Sequence, residues 1–255
     1  MIKPTGPRYD LRDTSFIVPF FYDSKERCEN LVCILDWITE NFDTNIILVE
    51  EDEVAPTVDH AKHSYGVNYI FMKRTIPGIF HRTKVINAGI KATTTPYISI
   101  YDTDCIFPPA QVAVAVEKLR EGADACYPYG GDFVDIDRSY IATGVVKERE
   151  SFTKESVGGA VFLKRERYIE AGMENENLIS HAPEDVERFY RMKTLGRRVE
   201  RVDGKCWHIT HSRGPNSGPL HQYVNSNMKE YLKVRAMEKK ELEEYIKTWT
   251  WAATE

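Results

Sequence analysis

The first half of the chain alternates short runs of β-branched and aromatic residues with segments whose apolar positions recur every three or four residues. Residues 15–20 (SFIVPF) read as a buried strand. Ser24 is placed to cap a helix in which Leu31, Ile34, Leu35 and Ile38 fall at i, i+3, i+4 and i+7. Residues 45–50 (NIILVE), 68–72 and 97–101 (YISIY) predict three further strands, with a helix over residues 80–91 before the last. Pro108 and Pro109 can start a helix over residues 111–121, which Gly122 can end. This alternation predicts an α/β fold with a mostly parallel central sheet flanked by helices. In such sheets a ligand sits beyond the carboxyl ends of the strands.

The pattern loosens after about Asp132. Residues 161–163 can form a strand after Gly158-Gly159, and residues 183–195 a helix with Pro at its start and Gly196 at its end. Residues 220–247 predict one amphipathic helix, with Met228, Tyr231, Leu232 and Arg235 near one stripe. There is no internal repeat, low-complexity segment or linker, so one domain over residues 15–255 is expected, preceded by a flexible segment, residues 1–14.

The length of 255 residues is enough for a sizeable core. An apolar share of 42% and a charged share of 29% belong to a globular chain rather than a disordered one. A net charge of -5 gives no reason to hold a phosphate polymer, so nucleic acid is not an expected partner. The five cysteines contain no CxxC pair, which disfavours a disulfide framework and a structural zinc site. The polar N-terminus lacks a signal-peptide apolar stretch, and no apolar run approaches the roughly 18 residues that span a bilayer. The expectation is a soluble, cytoplasmic protein.

Candidate chemistry centres on Asp102-Thr103-Asp104, directly after YISIY. Residues two apart in an extended chain point the same way, so both carboxylates can reach one ligand, and a divalent cation resolves their repulsion. The plainer alternative is a polar turn that ends the strand. His208 and His211 can both face one cation if the chain turns between them; in a straight strand they face apart. Asp104 with these histidines makes a mixed N/O set that suits Mn²⁺ better than Mg²⁺. Glu184 and Asp185 open a predicted helix, where acidic residues are favoured by the helix dipole alone, by about 0.3–1 kcal/mol. A carboxylate held there is also rigid and ionised, as a general base should be. Gly158-Gly159 allows close backbone approach to a ligand, or simply a turn. Arg82 and Lys84, at another helix start, can meet a diphosphate.

Taken together and in order, IVPFFYDSKER (17–27), FHRTKVINAGI (80–90), YDTDCIF (101–107), VGGAVFLKRERYIEAG (157–172), PEDVERFYRMKTLG (183–196) and HITHSRG (208–214) resemble the GT-A β-1,4-galactosyltransferase family and its chondroitin-polymerase-like relatives. The resemblance implies a GT-A fold that divides into a nucleotide-binding half (15–131), an acceptor and catalytic half (132–219) and a helical tail (220–255). It places Pro19, Phe20 and Arg27 in the nucleotide pocket, Arg82 near uridine or diphosphate, and Asp102 close to the donor ribose or sugar. It implies Mn²⁺ on Asp104, His208 and His211, with Mg²⁺ second, Gly159 beside the donor sugar, Glu184 on sugar hydroxyls and Asp185 as catalytic base. His208 stands where the galactosyltransferases carry Met, which hardens the site. Leu178-Ile179-Ser180-His181-Ala182 replaces the family's glycine- and tryptophan-rich stretch, so neither sugar's identity carries over.

The function implied is inverting, metal-dependent transfer from a nucleotide sugar, a UDP-sugar, to a hydroxyl of a glycan or related acceptor. A silent nucleotide-sugar or glycan-binding module is the rival from a different class. A nucleotidyltransferase is disfavoured by the absence of an early glycine-rich loop. The lysine- and aromatic-rich tail can dock a membrane surface, a partner chain or the protein's own core, and packing its stripe at home is the preferred reading.

Overall fold

The computed structural model describes residues 8–181, 183–212 and 221–252. In chain order the first half runs β1 (Tyr9–Phe20), α1 (Lys25–Asn41), β2 (Phe42–Asp52), α2 (Ala61–Tyr65), β3 (Asn68–Lys73), α3 (Arg82–Ala92), β4 (Tyr97–Tyr101), β5 (Cys105–Ile106) and α4 (Pro109–Arg120). The second half runs β6 (Ala125–Tyr127), β7 (Asp132–Ile136), α5 (Tyr140–Thr143), β8 (Glu148–Thr153), β9 (Ala160–Lys164), α6 (Arg165–Glu170), α7 (Glu184–Thr194), β10 (Val199–Arg201), β11 (Lys205–Ile209), α8 (Val224–Ala236) and α9 (Lys239–Ile246).

A seven-stranded sheet in the order β10-β6-β9-β4-β1-β2-β3 forms the frame. It is parallel except at β9, which runs antiparallel to β4 and β6. The second half of β1, from Phe16, and strand β4 are covered on both faces, which is why both read as short, largely apolar runs. Ser24 caps α1 by accepting the Arg27 amide, and Ile34, Leu35 and Ile38 are buried beneath it, as their spacing predicts. Pro109 opens α4, and Gly122 follows its end at φ +103, a conformation that favours glycine.

Three expectations are corrected. Strand β1 starts at Tyr9 rather than at residue 15, because Tyr9, Asp10 and Leu11 pair along β2 before an irregularity, Thr14 pairs with Tyr97 of β4, and Leu11 and Thr14 are buried. Residues 9–14 are therefore strand, while residues 1–7 of the expected flexible segment lie outside the described residues. A separate four-stranded sheet, β5-β11-β7-β8, joins β5 of the first half to three strands of the second, which periodicity did not announce. The tail is two helices rather than one, interrupted by the extended backbone of Met237 and Glu238; Leu220 lies outside the described residues. Its packing face is also rotated from the expected stripe. Asn227 and Val234 are buried, whereas Met228 and Leu232 are 44% and 55% exposed. Of that stripe, Arg235 reaches α7, its guanidinium 4.0 Å from the Tyr190 ring centroid. Among the described residues no helix is long and apolar enough to cross a membrane.

Helix α3, which carries Arg82 to the site, lies close on the sheet at Gly89. A Cβ there would strike Ile17 Cγ2 and lie 3.3 Å from Val49 Cγ2. Gly89→Ala gains about 1 kcal/mol in helix propensity but overpacks the core at a cost of about 1–3 kcal/mol. The expected outcome is net destabilisation on urea unfolding; a stabilised variant would show that α3 can lift without loss.

Candidate active site

The carboxyl end of β4 delivers the Asp102–Asp104 turn to the junction of the two sheets. Asp102 donates its amide to the Gly159 carbonyl at 2.8 Å, and the Asp104 carbonyl accepts from the Ile209 amide at 2.7 Å. The next two residues form β5, whose Cys105 pairs with His208 of β11. The backbone thus ties the acidic turn to the histidine segment. Because β11 stops at Ile209, the chain turns before His211, and both imidazoles face one carboxylate. His211 Nε2 lies 3.0 Å and His208 Nε2 3.8 Å from Asp104 Oδ2.

This trio fits a divalent cation. One donor atom from each of Asp104, His208 and His211 lies within 4.8 Å of the others. Each histidine uses Nδ1 elsewhere, His208 on Asp135 Oδ1 at 2.8 Å and His211 on the Ser212 carbonyl at 2.7 Å, which leaves both Nε2 atoms aimed inward. Burial pushes the Asp104 carboxyl up, but the two histidines outweigh it and hold the group well below the usual carboxylate range. For His208 burial acts downward, and Asp104 and Asp135 override it to raise the imidazole to about 9. A carboxylate and imidazole that hold a shared proton this firmly make a place where positive charge is strongly favoured.

Across the cavity the charges are arranged differently. Arg82, the first residue of α3, contacts Asp102 Oδ1 at 2.5 Å and Glu184 Oε1 at 3.2 Å, and lies 3.8 Å from Asp185 Oδ1. It is thus engaged by acidic side chains rather than standing as an open anion site, and Lys84 is not among the residues lining the cavity. Asp185, in the first turn of α7, is also held at Oδ1 by Arg188, one helical turn on. Arg188 is 2% exposed and makes a second ion pair with Glu174 at 2.6 Å. The other Asp185 oxygen, Oδ2, faces Gly158, where a Cβ would come within 3.3 Å of it. Burial drives both members of the Glu184–Asp185 pair upward. For Asp185 the nearby Arg188 and Arg82 win, and its carboxyl sits below the ordinary value. For Glu184 burial and the Asp185 charge prevail over Arg82 and raise it to about 7. Two adjacent carboxyls are thereby split into an ionised and a readily protonated partner.

That split has a measurable consequence. Glu184 holds its proton more tightly folded than unfolded, so its contribution to stability falls as pH rises from about 4.5 to about 7. Glu184→Gln should therefore stabilise the fold at pH 8 by on the order of 2 kcal/mol, and by little at pH 4.5. Thermal melts at the two pH values check this, and an equal shift at both would contradict it.

Pro19, Arg27, Arg82, Asp102, Asp104, Gly159, Glu184, Asp185, His208 and His211 all line one cavity of about 300 Å³. Phe20 does not. It is 1% exposed in the main core, and its neighbour Phe21 lines the cavity instead, because successive residues of the extended chain alternate faces. Phe21 stacks on Phe80 with centroids 4.4 Å apart, and the Arg27 guanidinium lies 4.8 Å from its centroid. At Gly159, φ is +79 and a Cβ would come within 3.0 Å of Cys105 Sγ and 3.2 Å of Cys206 Sγ. Its glycine is required by this packing as well as by any ligand. From the segment Leu178 to His181, Ser180 and His181 line the cavity, with Ser180 in the left-handed region at φ +70. Thr83 of α3 and Asn227 of α8 hold its backbone. Phe21, Asp135, Glu174, Arg188 and Asn227 were not singled out from the sequence.

The profile of Glycosyl transferase family 2 matches residues 15–169 of the chain. Among solved structures, GalNAc-T7 with UDP, GalNAc and Mn²⁺ aligns with a TM-score of 0.61 at 13% identity, over 91% of this chain and 50% of that one. This chain therefore spans half the length of that protein. A mycobacterial protein aligns with a TM-score of 0.53 at 13% identity, over 87% of this chain and 75% of its own. These likenesses, with the helix-flanked sheet, give the fold as GT-A. No curated protein matches the chain in sequence.

Proposed function

This chain belongs to glycosyl transferase family 2, and on that premise we propose that it transfers a sugar, with inversion, from a UDP-sugar to a hydroxyl of a glycan or related acceptor. The observation that carries the reading is that Asp104, His208 and His211 share one cavity with the ionised Asp185. The order of its motifs supports a likeness to the β-1,4-galactosyltransferase and chondroitin-polymerase-like enzymes. Donor sugar and acceptor are left to pocket shape, to which Ser180 and His181 contribute.

Asp104, His208 and His211 would hold Mn²⁺, with Mg²⁺ disfavoured by the two nitrogen donors; once bound, the cation supplies positive charge for the leaving diphosphate. Asp185 does the proton chemistry. With Oδ1 fixed by Arg188, Oδ2 beside Gly158 is the atom that accepts the acceptor's hydroxyl proton. As that O–H bond breaks, the acceptor oxygen bonds to the anomeric carbon and the bond to the diphosphate oxygen breaks, its electrons leaving with UDP. Glu184, protonated near neutrality, can donate a hydrogen bond to a sugar hydroxyl. Pro19, Phe21 and Arg27 offer an apolar and cationic wall for the uracil ring.

Calorimetric titration with UDP, with and without Mn²⁺ and with GDP as control, tests the donor half of this reading. UDP binding that requires Mn²⁺ is expected. Binding of GDP alone would change the donor, and binding of neither by folded, metal-supplied protein would sink the reading in favour of some other use of the cavity.

A further inference from the structure

The two histidines of the candidate metal site are supported unequally. His211 rests its Nδ1 on the carbonyl of its own neighbour, Ser212, whose amide and hydroxyl are held in turn by Glu26 of α1 at 2.7 and 2.8 Å. His208 is held from across a strand pair. It lies in register with Asp135, because β11 and β7 run parallel with His208 opposite Asp135. Cross-strand partners in a parallel pair present their side chains on one face, and so do residues two apart along one strand. Strand β7 therefore presents both Phe133 and Asp135 to the His208 ring. The Phe133 ring lies against the imidazole, with centroids 5.2 Å apart and planes at 31°, and Asp135 Oδ1 accepts a hydrogen bond from Nδ1–H at 2.8 Å. One contact sets the plane of the ring and the other its rotation and tautomer. With Nδ1 engaged there, Nε2 is the ring nitrogen turned toward Asp104 Oδ2, the one a cation would take in place of a proton.

We propose that Asp135 is a positioning residue: by fixing the tautomer and rotation of His208, it makes that imidazole a cation ligand. The proposal rests on the metal-site reading above and assigns a role to a side chain that does not itself touch the ion. It also gives the four-stranded sheet a purpose. The register of β7 on β11 places an acceptor at the one height where it can hold Nδ1, and a slip by one residue would turn Asp135 to the opposite face.

The test is Mn²⁺ binding, which needs no substrate and no turnover. The full chain is titrated with Mn²⁺ in the presence of UDP, and nitrogen coupling to the ion is read by pulsed electron paramagnetic resonance. Asp135→Ala and Asp135→Leu remove the acceptor, and either suffices provided it keeps the wild-type circular dichroism and melting transition. Asp135→Asn keeps an oxygen acceptor while losing the charge. The expected result is a 10–100-fold loss of Mn²⁺ affinity in the Ala or Leu variant, the usual scale for a lost outer partner of a ligating histidine, with the signal of one nitrogen ligand weakened. Asp135→Asn should stay within a few-fold of wild type with both nitrogen signals intact. Wild-type affinity and spectrum in the Ala or Leu variant would overturn the role of Asp135 while leaving the metal site standing. A loss in Asp135→Asn as large as in Asp135→Ala would make charge rather than aim the contribution, and would overturn positioning. Failure of the wild-type chain to bind Mn²⁺ would overturn the metal site itself and the role of Asp135 with it. Should both the Ala and Leu variants unfold, Asp135→Asn alone decides, since positioning requires that it keep both nitrogen signals.

Discussion

Asp185→Asn is expected to lower turnover by about 10²–10⁴-fold, the usual worth of general-base help, while Mn²⁺-dependent UDP binding persists. The substitution is nearly isosteric, and the amide oxygen can still accept from Arg188, so the start of α7 keeps its packing. What is lost is the capacity to take a proton at Oδ2. Arg188 retains its ion pair with Glu174 at 2.6 Å, so its buried charge is not stranded by the change. Arg82 likewise retains Asp102 and Glu184. The measurement is UDP release from a turned-over donor, alongside calorimetry on the same variant. Near-normal turnover would remove Asp185 from the mechanism.

Asp104→Ala is expected to act on binding instead. Asp104 is the one carboxylate of the Asp104, His208 and His211 set, and both imidazoles are aimed at its Oδ2. Without it, two imidazole rings face each other and a divalent cation loses its charge-balancing ligand. Losing an outer partner of a ligand typically costs 10–100-fold, and losing the ligand itself should cost on the order of 100-fold or more in Mn²⁺-supported UDP affinity. Titrations with UDP at fixed Mn²⁺ check this. Unchanged metal dependence would refute the assigned ligand. The two variants separate the halves of the site, since the first spares binding and loses chemistry while the second loses binding.

The parts of the molecule that were legible in its sequence share one property: a local pattern long enough to report burial. The apolar runs of β1, β2 and β4 and the periodic faces of α1, α3 and α4 gave the main sheet and its helices. Asp102 and Asp104 stood out because they end such a run. Glu184 and Asp185 stood out because Pro183 marks the start of α7. Where the signal was short or non-local the reading faltered. The strands of the second sheet are two to six residues long and carry Asp, Glu and Lys, so alternation had no length over which to show. Asp135 looks like any polar strand residue until β11 is laid beside it. Arg188, read along α7 alone, looks like a solvated helix position; burial against Glu174 and Asp185 gives it its part. Phe20 was assigned to the nucleotide pocket by resemblance alone, and the alternation of faces along β1 gives that place to Phe21. The break between α8 and α9 carries neither Gly nor Pro, so nothing in the tail's composition announced it.

The measurement that tests the account most directly is proton NMR of UDP-galactose, UDP-glucose, UDP-N-acetylglucosamine and UDP-N-acetylgalactosamine incubated with the protein, with and without Mn²⁺, water serving as acceptor where no other is supplied. The account predicts that at least one donor releases UDP only when Mn²⁺ is present, and that the sugar first appears as the β-anomer, inverted from the α-linked donor. Release of the α-anomer would contradict a single displacement assisted by Asp185. UDP binding with every donor left intact would contradict transfer altogether and leave a nucleotide-sugar-binding module.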